Sequence, residues 1–488
     1  MKEFVLSFDI GTSSVKAAAV SFDCELLASS LEPLRLYQPD PARNEQDPEE
    51  LWEACCRAAR LVMRTQNREA LRGIVFGTYW KGIIPVDADG KILHRNLLWC
   101  DNRAGEEARF LNEHFGVQCF SGIDYWPKLL WLKTRLPEIY EKAAYLHEAG
   151  SYLKFRATGE AASDYDNNFI RTTEPLVQEA YDRIVDLCGL DRAKFAPLVM
   201  STDRIGEVTP EAAEKLGVPS GVPVFGGTTD MASVATGAGC SIPGKGHLYM
   251  GTSGWIGAAV PTDPAYPFFL PYYPGMSLAI SGIRSAGQSY AWVLNTYYRD
   301  VAPAERYRVA EEEVSRVPAG SRGLRFLPFR PETRPAGSAF SFGEFRNADA
   351  SHTRADYANA VMEGIALQLR QGMKWVNVSG FAPYPQIGKI LIPDPEALRN
   401  NTPPSFDVIR AVGGCARSDT WMQRTADILN TPIEVPESPQ HAAAVGVAVC
   451  ALIGLGVLRS FKDAAGRIRA VKCFEPSENR DENSYRNL

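Results

Sequence analysis

None of the ten cysteines belongs to a Cys-x-x-Cys pair, and only Cys55 and Cys56 adjoin, on a helix-like segment where neighbours point to different faces. That argues against a disulfide framework and favours a reducing cytosol. The six histidines, at 94, 114, 147, 247, 352 and 441, are too scattered for zinc-ligand spacing. No apolar run reaches the length of a membrane span; the nearest, Ala442 to Leu458, is broken by Gly446, Gly454 and Gly456. The opening Met1-Lys2-Glu3 runs straight into a strand-like segment, without the apolar core of a signal peptide. A formal net charge of −6 leaves no basic footprint for nucleic acid. Also missing are the Gly-x-x-x-x-Gly-Lys-Ser/Thr phosphate loop, a Gly-x-Gly-x-x-Gly turn after a strand and a Gly-x-Ser-x-Gly elbow. Their absence argues against a P-loop kinase, a dinucleotide dehydrogenase and an α/β-hydrolase. The expectation is a cytoplasmic protein that handles small molecules, with neither nucleic acid nor membrane as partner.

At 488 residues the chain is too long for one ordinary core, and 45% hydrophobic with 23% charged residues is the balance of a globular protein. Phe4 to Phe8, Val15 to Val20 and Leu26 to Ala28 are short apolar runs joined by turns, which predicts a β-meander. Asp47-Pro48-Glu49-Glu50 predicts a helix start, with Asp47 as cap, Pro48 at the first position and Glu50 completing a capping box. Leu51, Cys55, Ala58 and Val62 follow at helical spacing. Strands at 71–76 and 83–86 complete an α/β pattern. Gly237 to Gly246 is the most linker-like stretch and marks the expected boundary between two domains. Beyond it, Leu248-Tyr249-Met250 enters Gly251-Thr252-Ser253, echoing Phe8-Asp9-Ile10 before Gly11-Thr12-Ser13, so two similarly built lobes are expected. A capped helix is predicted from Thr353 with Asp356 as box partner, and another over 420–429. The proline-dense stretch 380–405 reads as a surface excursion, and the residues from Glu475 as a loosely held tail.

Three turns carry candidate chemistry. In Asp9-Ile10-Gly11-Thr12-Ser13-Ser14-Val15-Lys16, glycine lets backbone amides approach an anion, the hydroxyls add donors, Lys16 adds positive charge, and Asp9 could hold Mg²⁺ through water. Gly251-Thr252-Ser253 has the same donors, and two such turns facing each other could clamp one polyphosphate. Gly226-Gly227-Thr228-Thr229-Asp230 puts a carboxylate where a strand meets a helix. There it could accept a proton from an attacking hydroxyl, or merely cap the helix. Gly413-Gly414 suits close approach of a flat ring. Trp99 to Arg103 reads as a functional loop or a structural Asp/Arg pair, and Lys128 to Leu132 as a helix face packed into the core.

In their order along the chain, these segments resemble the FGGY family of carbohydrate kinases, in particular its xylulokinase-like branch. The resemblance runs through Asp9 to Ser13, Glu45-Gln46-Asp47-Pro48, Trp99-Cys100-Asp101-Asn102-Arg103, Pro127 to Leu132, Gly226 to Asp230, Gly251 to Ser253, Phe326-Leu327-Pro328, Glu332-Thr333-Arg334 and Val412 to Ser418. It implies two actin-like (ribonuclease H-like) ATPase lobes with the catalytic cleft between them. The expected division is 1–241 for the sugar-binding lobe, 247–460 for the nucleotide-binding lobe and 461–488 for a C-terminal tail. It implies ATP and Mg²⁺ as cofactors, a sugar as partner and a homodimer as the assembly. Asp230 would be the catalytic base and Asp9 would serve the metal and phosphate region. Gly11, Thr12, Ser13, Gly251 and Thr252 would hold phosphates, Gly287, Gly413 and Gly414 would line the nucleotide site, and Lys16 and Arg417 would lie near it. Trp80 and Lys81 would face the sugar.

Two departures bear on the substrate. Relatives often carry Gln-Met-His-Gly where this chain has Tyr79-Trp80-Lys81-Gly82, and a lysine ammonium cannot accept a hydrogen bond from a sugar hydroxyl. Met231 follows Asp230 where the xylulokinase pattern has Asn. The resemblance therefore implies phosphoryl transfer to a sugar hydroxyl, a pentulose-like ketose being expected, while the departures put D-xylulose itself in question. The competing reading is a non-catalytic sugar or nucleotide sensor on the same fold.

Overall fold

In a computed structural model, residues 2–262, 270–283, 285–328, 343–376, 385–387, 390–391 and 405–478 are described. Glu332-Thr333-Arg334, most of the 380–405 stretch and the chain from 479 lie outside the described residues.

The predicted meander forms as β1 (Phe4–Ile10), β2 (Ser14–Ser21) and β3 (Leu26–Pro33). With β4 (Leu71–Thr78), β5 (Arg204–Glu207) and β6 (Pro223–Thr229) they make a six-stranded sheet in the order β5-β6-β4-β1-β2-β3. β1, β4 and β6 run parallel. Every residue of β1 is buried, as expected of a central strand covered on both faces.

The second sheet comprises β7 (Gly246–Met250), β8 (Gly254–Pro261), β9 (Leu270–Tyr273), β10 (Met276–Ile283), β11 (Ile409–Val412), β12 (Ile433–Pro436) and β13 (Ala470–Phe474). Its order is β9-β10-β8-β7-β11-β12-β13. Its inner run β10-β8-β7-β11-β12 repeats β3-β2-β1-β4-β6 strand for strand, with the same parallel and antiparallel neighbours. The short Gly-Thr-Ser echo thus reflects two lobes of one plan.

Ten helices serve the description: α1 (Pro48–Met63), α2 (Tyr125–Arg135), α3 (Ala149–Thr158), α4 (Asp230–Gly237), α5 (Gly287–Tyr297), α6 (Arg306–Val314), α7 (Arg354–Gly372), α8 (Asp419–Leu429), α9 (Ala442–Gly454) and α10 (Phe461–Arg467). Asp47 caps α1 through Oδ1, accepting the Glu49 amide at 2.9 Å. Glu50 closes no box there; its carboxylate accepts the Tyr37 hydroxyl at 2.6 Å. At α7 the box is present, Asp356 accepting the Thr353 amide at 2.8 Å.

The lobes exchange helices. α9, late in the chain, buries Ala444, Val447, Ala448 and Ala451 against Val5, Val20, Val75 and Phe225 of the first sheet. α4, from the first half, packs Ala232 and Ala235 against Ala259, Tyr272 and Leu278 of the second. Spatial lobes therefore differ from a simple cut of the chain. Two further expectations are corrected. The segment 237–246 is no loose linker: Ala238, Cys240 and Ser241 are fully buried, and the Ala238 carbonyl accepts the Arg410 guanidinium at 3.0 Å. Nor is 461–474 tail, since it forms α10 and the edge strand β13 paired to β12. Even Ser477 donates its amide to Asp427 at 2.7 Å.

Candidate active site

In an open α/β sheet, ligands gather beyond the carboxyl ends of the parallel strands. Thr78, the last residue of β4, lies between Ile10 of β1 and Thr229 of β6. The chain leaves these three strands through Gly11-Thr12, Tyr79-Trp80-Lys81 and Asp230. Three of the predicted segments therefore meet at one edge because of strand order alone.

Gly226 and Gly227 have a backbone task. A register shift between Phe225 and Thr228 marks a bulge, and Gly227 sits at φ +100° with its α-carbon pressed on the Phe76 carbonyl; a β-carbon would lie 2.1 Å from that oxygen. The bulge brings Thr228 and Thr229 into step with Gly77 and Thr78. Thr229 then caps α4, its hydroxyl accepting the Ala232 amide at 3.4 Å, and Asp230 begins the helix. The capping reading of Asp230 is thus overturned: the cap is Thr229. Asp230 is half-buried, and its Oδ1 accepts the Met231 amide at 2.9 Å. Burial, and next the charge of Asp9, push its carboxyl up to about 7.

Asp9 and Lys16 stand opposite each other on β1 and β2, and the Lys16 ammonium donates to Asp9 Oδ2 at 3.1 Å. Gly11 closes the turn by donating its amide to the Ser14 carbonyl at 3.0 Å, and Gly251 repeats this toward Ser253 at 3.0 Å. Thr12 is braced from outside: its hydroxyl accepts Trp99 Nε1 at 2.9 Å and its carbonyl accepts Gln46 Nε2 at 2.6 Å. Gln46 in turn accepts the hydroxyl of buried Tyr79 at 2.6 Å. Asp101 receives the Asn44 amide at 2.7 Å and, with Glu45, pairs Arg103. The 45–48 and 99–103 motifs therefore brace the first turn, Gln46 and Trp99 by direct contact with Thr12.

The second lobe supplies the opposite wall. Burial and then the charges of Asp9 and Asp230 raise the Tyr249 hydroxyl, so this β7 residue is within electrostatic reach of both carboxylates. His441, next to the start of α9, is lowered by burial and by Lys16, with Asp9 opposing. Residues of both lobes thus share one electrostatic neighbourhood. Gly287 packs on the Gly251 turn: its amide donates to the Gly251 carbonyl at 2.8 Å, and a β-carbon would meet that oxygen at 2.5 Å. It clamps the turn and spends its amide in doing so. Gly413, at φ +99°, is pressed on Met250 in the same way, whereas Gly414 is exposed with nothing within 4 Å of an added β-carbon. Of the two glycines, only Gly414 faces open space. Arg417, on the same turn, is exposed, as is Thr252; Ser13 is exposed at the tip of the first turn.

Sequence reasoning passed over Asp166, Asn167, Asp124, Tyr249, His441 and Tyr307. Asp166 Oδ2 accepts the Thr228 hydroxyl at 2.6 Å and the Thr229 amide and hydroxyl at 2.7 and 2.9 Å. It thereby pins the cap from which Asp230 projects. Its signal was the polar run Ser163-Asp164-Tyr165-Asp166-Asn167-Asn168, every member of which is buried. Burial and then Asp164 push Asp166 up to about 7. Tyr307 of α6 is 58% exposed and feels the Cys415 thiol beside Gly414, an accessible aromatic face near that open backbone. Trp80 is half-buried against Phe169, and the Lys81 ammonium pairs with Asp124 at 2.7 Å.

Among the described residues, no group of three or more His, Cys, Asp or Glu side chains could cage a metal. Asp9, with Asp230 close enough to feel its charge, suits Mg²⁺, which keeps several waters and takes one or two carboxylates beside phosphate oxygens.

Duplicated sheets of this order, with exchanged helices and a hydroxyl-bearing turn after the first strand of each, are the plan of a two-lobed ATPase fold of the actin-like class. The chain belongs to the FGGY family of carbohydrate kinases: the family's N-terminal domain matches residues 4–237 and its C-terminal domain residues 246–455. It is thus a sugar kinase that uses ATP. Xylulose kinase of Staphylococcus epidermidis is 28% identical, with 99% of this chain and 94% of that protein covered. Xylulose kinase of Bacillus subtilis is 27% identical over 97% and 93%. Ligand-bound xylulose kinase from Lactobacillus acidophilus shares the fold with a TM-score of 0.81 at 21% identity, covering 99% of this chain and 96% of that one. Gluconate kinase from the same organism does so at 0.80 and 21%, covering 100% and 96%. No described helix is long and apolar enough to cross a membrane.

Proposed function

We propose that this kinase transfers the γ-phosphoryl group of Mg-ATP to a primary hydroxyl of a pentulose-like ketose, with Asp230 as general base. The observation that carries the reading is the environment of Asp230: a half-buried carboxylate at a helix start, at the shared edge of three parallel strands, raised toward neutrality beside Asp9. A base of that strength is ionised enough at neutral pH to take a hydroxyl proton and basic enough to hold it. The Gly11-Thr12-Ser13 and Gly251-Thr252 turns hold phosphates from opposite sides, and Lys16 offsets charge as it builds on them. Asp9 would hold Mg²⁺, and that ion would supply neutralisation of charge on the phosphate oxygens. Gly414 and Arg417 flank the nucleotide. Trp80 and Lys81 form the sugar wall. Transfer through a loose transition state asks for little beyond this positioning and charge stabilisation.

Xylulose kinases among the relatives support a ketose. The shared fold alone does not choose the acceptor, because a gluconate kinase has it too. The test is a coupled ADP-release screen over ketoses, aldoses, polyols and sugar acids. Saturable, acceptor-dependent ADP formation with a pentulose among the best acceptors is expected; acceptor binding without ADP release would reject the reading.

A pH profile adds a second check. Asp230 is protonated below about 7 in the free enzyme and cannot then act as base. The kcat/KM for the acceptor should therefore fall about tenfold per pH unit on the acid side, with an apparent pKa near 7. A profile flat from pH 5 to 8 would contradict the role.

A further inference from the structure

Lys81 is held in an unusual way. It is a long-chain, non-glycine residue at φ +60°, a conformation such side chains rarely adopt without being fixed from outside. Four contacts fix it. Its amide donates to Asn167 Oδ1 at 3.2 Å, and its carbonyl accepts the ammonium of fully buried Lys128 at 2.7 Å. Its own ammonium reaches Asp124 Oδ1 at 2.7 Å and lies 4.0 Å from the centroid of the Trp80 ring. Asp124 is equally constrained, Oδ2 accepting the amide and hydroxyl of Ser121 at 2.9 Å each. Burial works to raise Asp124, but the Lys81 charge and bond, with the Ser121 donors, outweigh it and hold the carboxyl below its ordinary range. The pair is 16% and 19% exposed, so it is neither sealed in a core nor free on a surface. An exposed lysine–aspartate pair would need none of this scaffolding.

We propose that Lys81 and Asp124 form a charge-neutral reader of the acceptor, which makes this kinase select uncharged polyhydroxy compounds over sugar acids. The proposal rests on the 79–81 segment being the acceptor wall. The ammonium has three N–H groups and spends one on Asp124, and Asp124 Oδ1 keeps a lone pair. The pair therefore offers donor and acceptor side by side, matching neighbouring hydroxyls that each donate and accept. A carboxylate offers acceptors only and would meet the Asp124 charge. The local balance supports this: the Lys81 charge is cancelled by Asp124, while Lys128 behind it is committed to the carbonyls of Lys81 and Leu98. The position where relatives often carry histidine thus recovers, through a second residue, the acceptor that lysine lacks.

The test compares kcat/KM, by ADP release, for a neutral panel (D-xylulose, D-ribulose, xylitol, glycerol) and an acid panel (D-xylonate, D-gluconate). The native enzyme should favour its best neutral acceptor over its best acid by at least tenfold. Asp124→Asn leaves the cation uncompensated and should shrink that ratio at least tenfold. Lys81→Gln leaves the carboxylate uncompensated and should enlarge it. Native-like affinity for a non-hydrolysable ATP analogue shows each variant to be folded, and either variant alone suffices to read a shift. A native preference for acids, or a folded variant whose ratio stays within threefold of the native value, overturns the dyad while leaving the kinase intact. No ADP from any acceptor rejects the acceptor-site reading itself, and the dyad with it.

Discussion

Asp230→Asn should lower kcat for sugar phosphorylation by about 10²–10⁴, the range a positioned base contributes, or about 3–5 kcal/mol. Affinity for an ATP analogue should stay within a few-fold. The substitution keeps size and leaves an oxygen for the Met231 amide, so the start of α4, capped by Thr229, should persist. What it removes is the only function of this side chain that needs a negative charge. Stability should move the other way. In the folded protein Asp230 holds its proton up to about 7, against 3.8 for an ordinary aspartate. Between those values the folded state binds a proton that the unfolded chain has lost, so this contribution to stability is present at low pH and lost as pH rises through 7. Asparagine has no such loss. The variant's Tm should match the native one near pH 4 and exceed it by about 1–3 °C at pH 8. Lost turnover with raised alkaline stability separates a strained base from a structural aspartate, whose removal would cost both.

Gly237→Val should be the most damaging substitution outside the chemistry. α4 and α9 cross so closely that a β-carbon at Gly237 would lie 1.7 Å from the Ala442 carbonyl oxygen, and one at Gly446 1.8 Å from that of Ser233. These are backbone atoms and cannot rotate away, so the helices must part. Overpacking of this kind costs about 1–3 kcal/mol, and β-branched valine at a contact this short belongs at or above the upper end. The penalty falls where the two lobes share helices, and α4 begins at Asp230. Differential scanning fluorimetry should show a Tm several degrees lower for Gly237→Val, a smaller loss for Gly446→Ala, and acceptor turnover falling with it. Native Tm for both would mean that the helices do not cross as closely as described.

Much of this was legible in the residues, and the misses have physical causes. The meander, the α1 face of Leu51, Cys55, Ala58 and Val62, and the Thr353 capping box follow from local periodicity and local hydrogen bonding. Helix exchange did not, because an alanine-rich segment such as 442–452 announces burial without saying against which sheet. The 237–246 stretch read as a linker because glycine serves flexible joints and tight turns alike; Gly239 and Gly244 sit at positive φ within a segment that is partly core. Asp230 was picked out by its motif, yet the aspartate that positions its cap, Asp166, lies over sixty residues away and is joined to it only by the β6 register. Gly287 and Gly413 were credited to the nucleotide, but the structure presses both against neighbouring backbone. A glycine's reason is written in its surroundings, which one sequence does not display.

A crystal structure with Mg²⁺, a non-hydrolysable ATP analogue and the best acceptor from the ADP screen bears most directly on the proposed geometry. The terminal phosphate should lie between the Gly11-Thr12-Ser13 and Gly251-Thr252 turns, with the Asp230 carboxylate within hydrogen-bond reach of the acceptor hydroxyl. Phosphates held elsewhere, or an acceptor out of reach of Asp230, would contradict it.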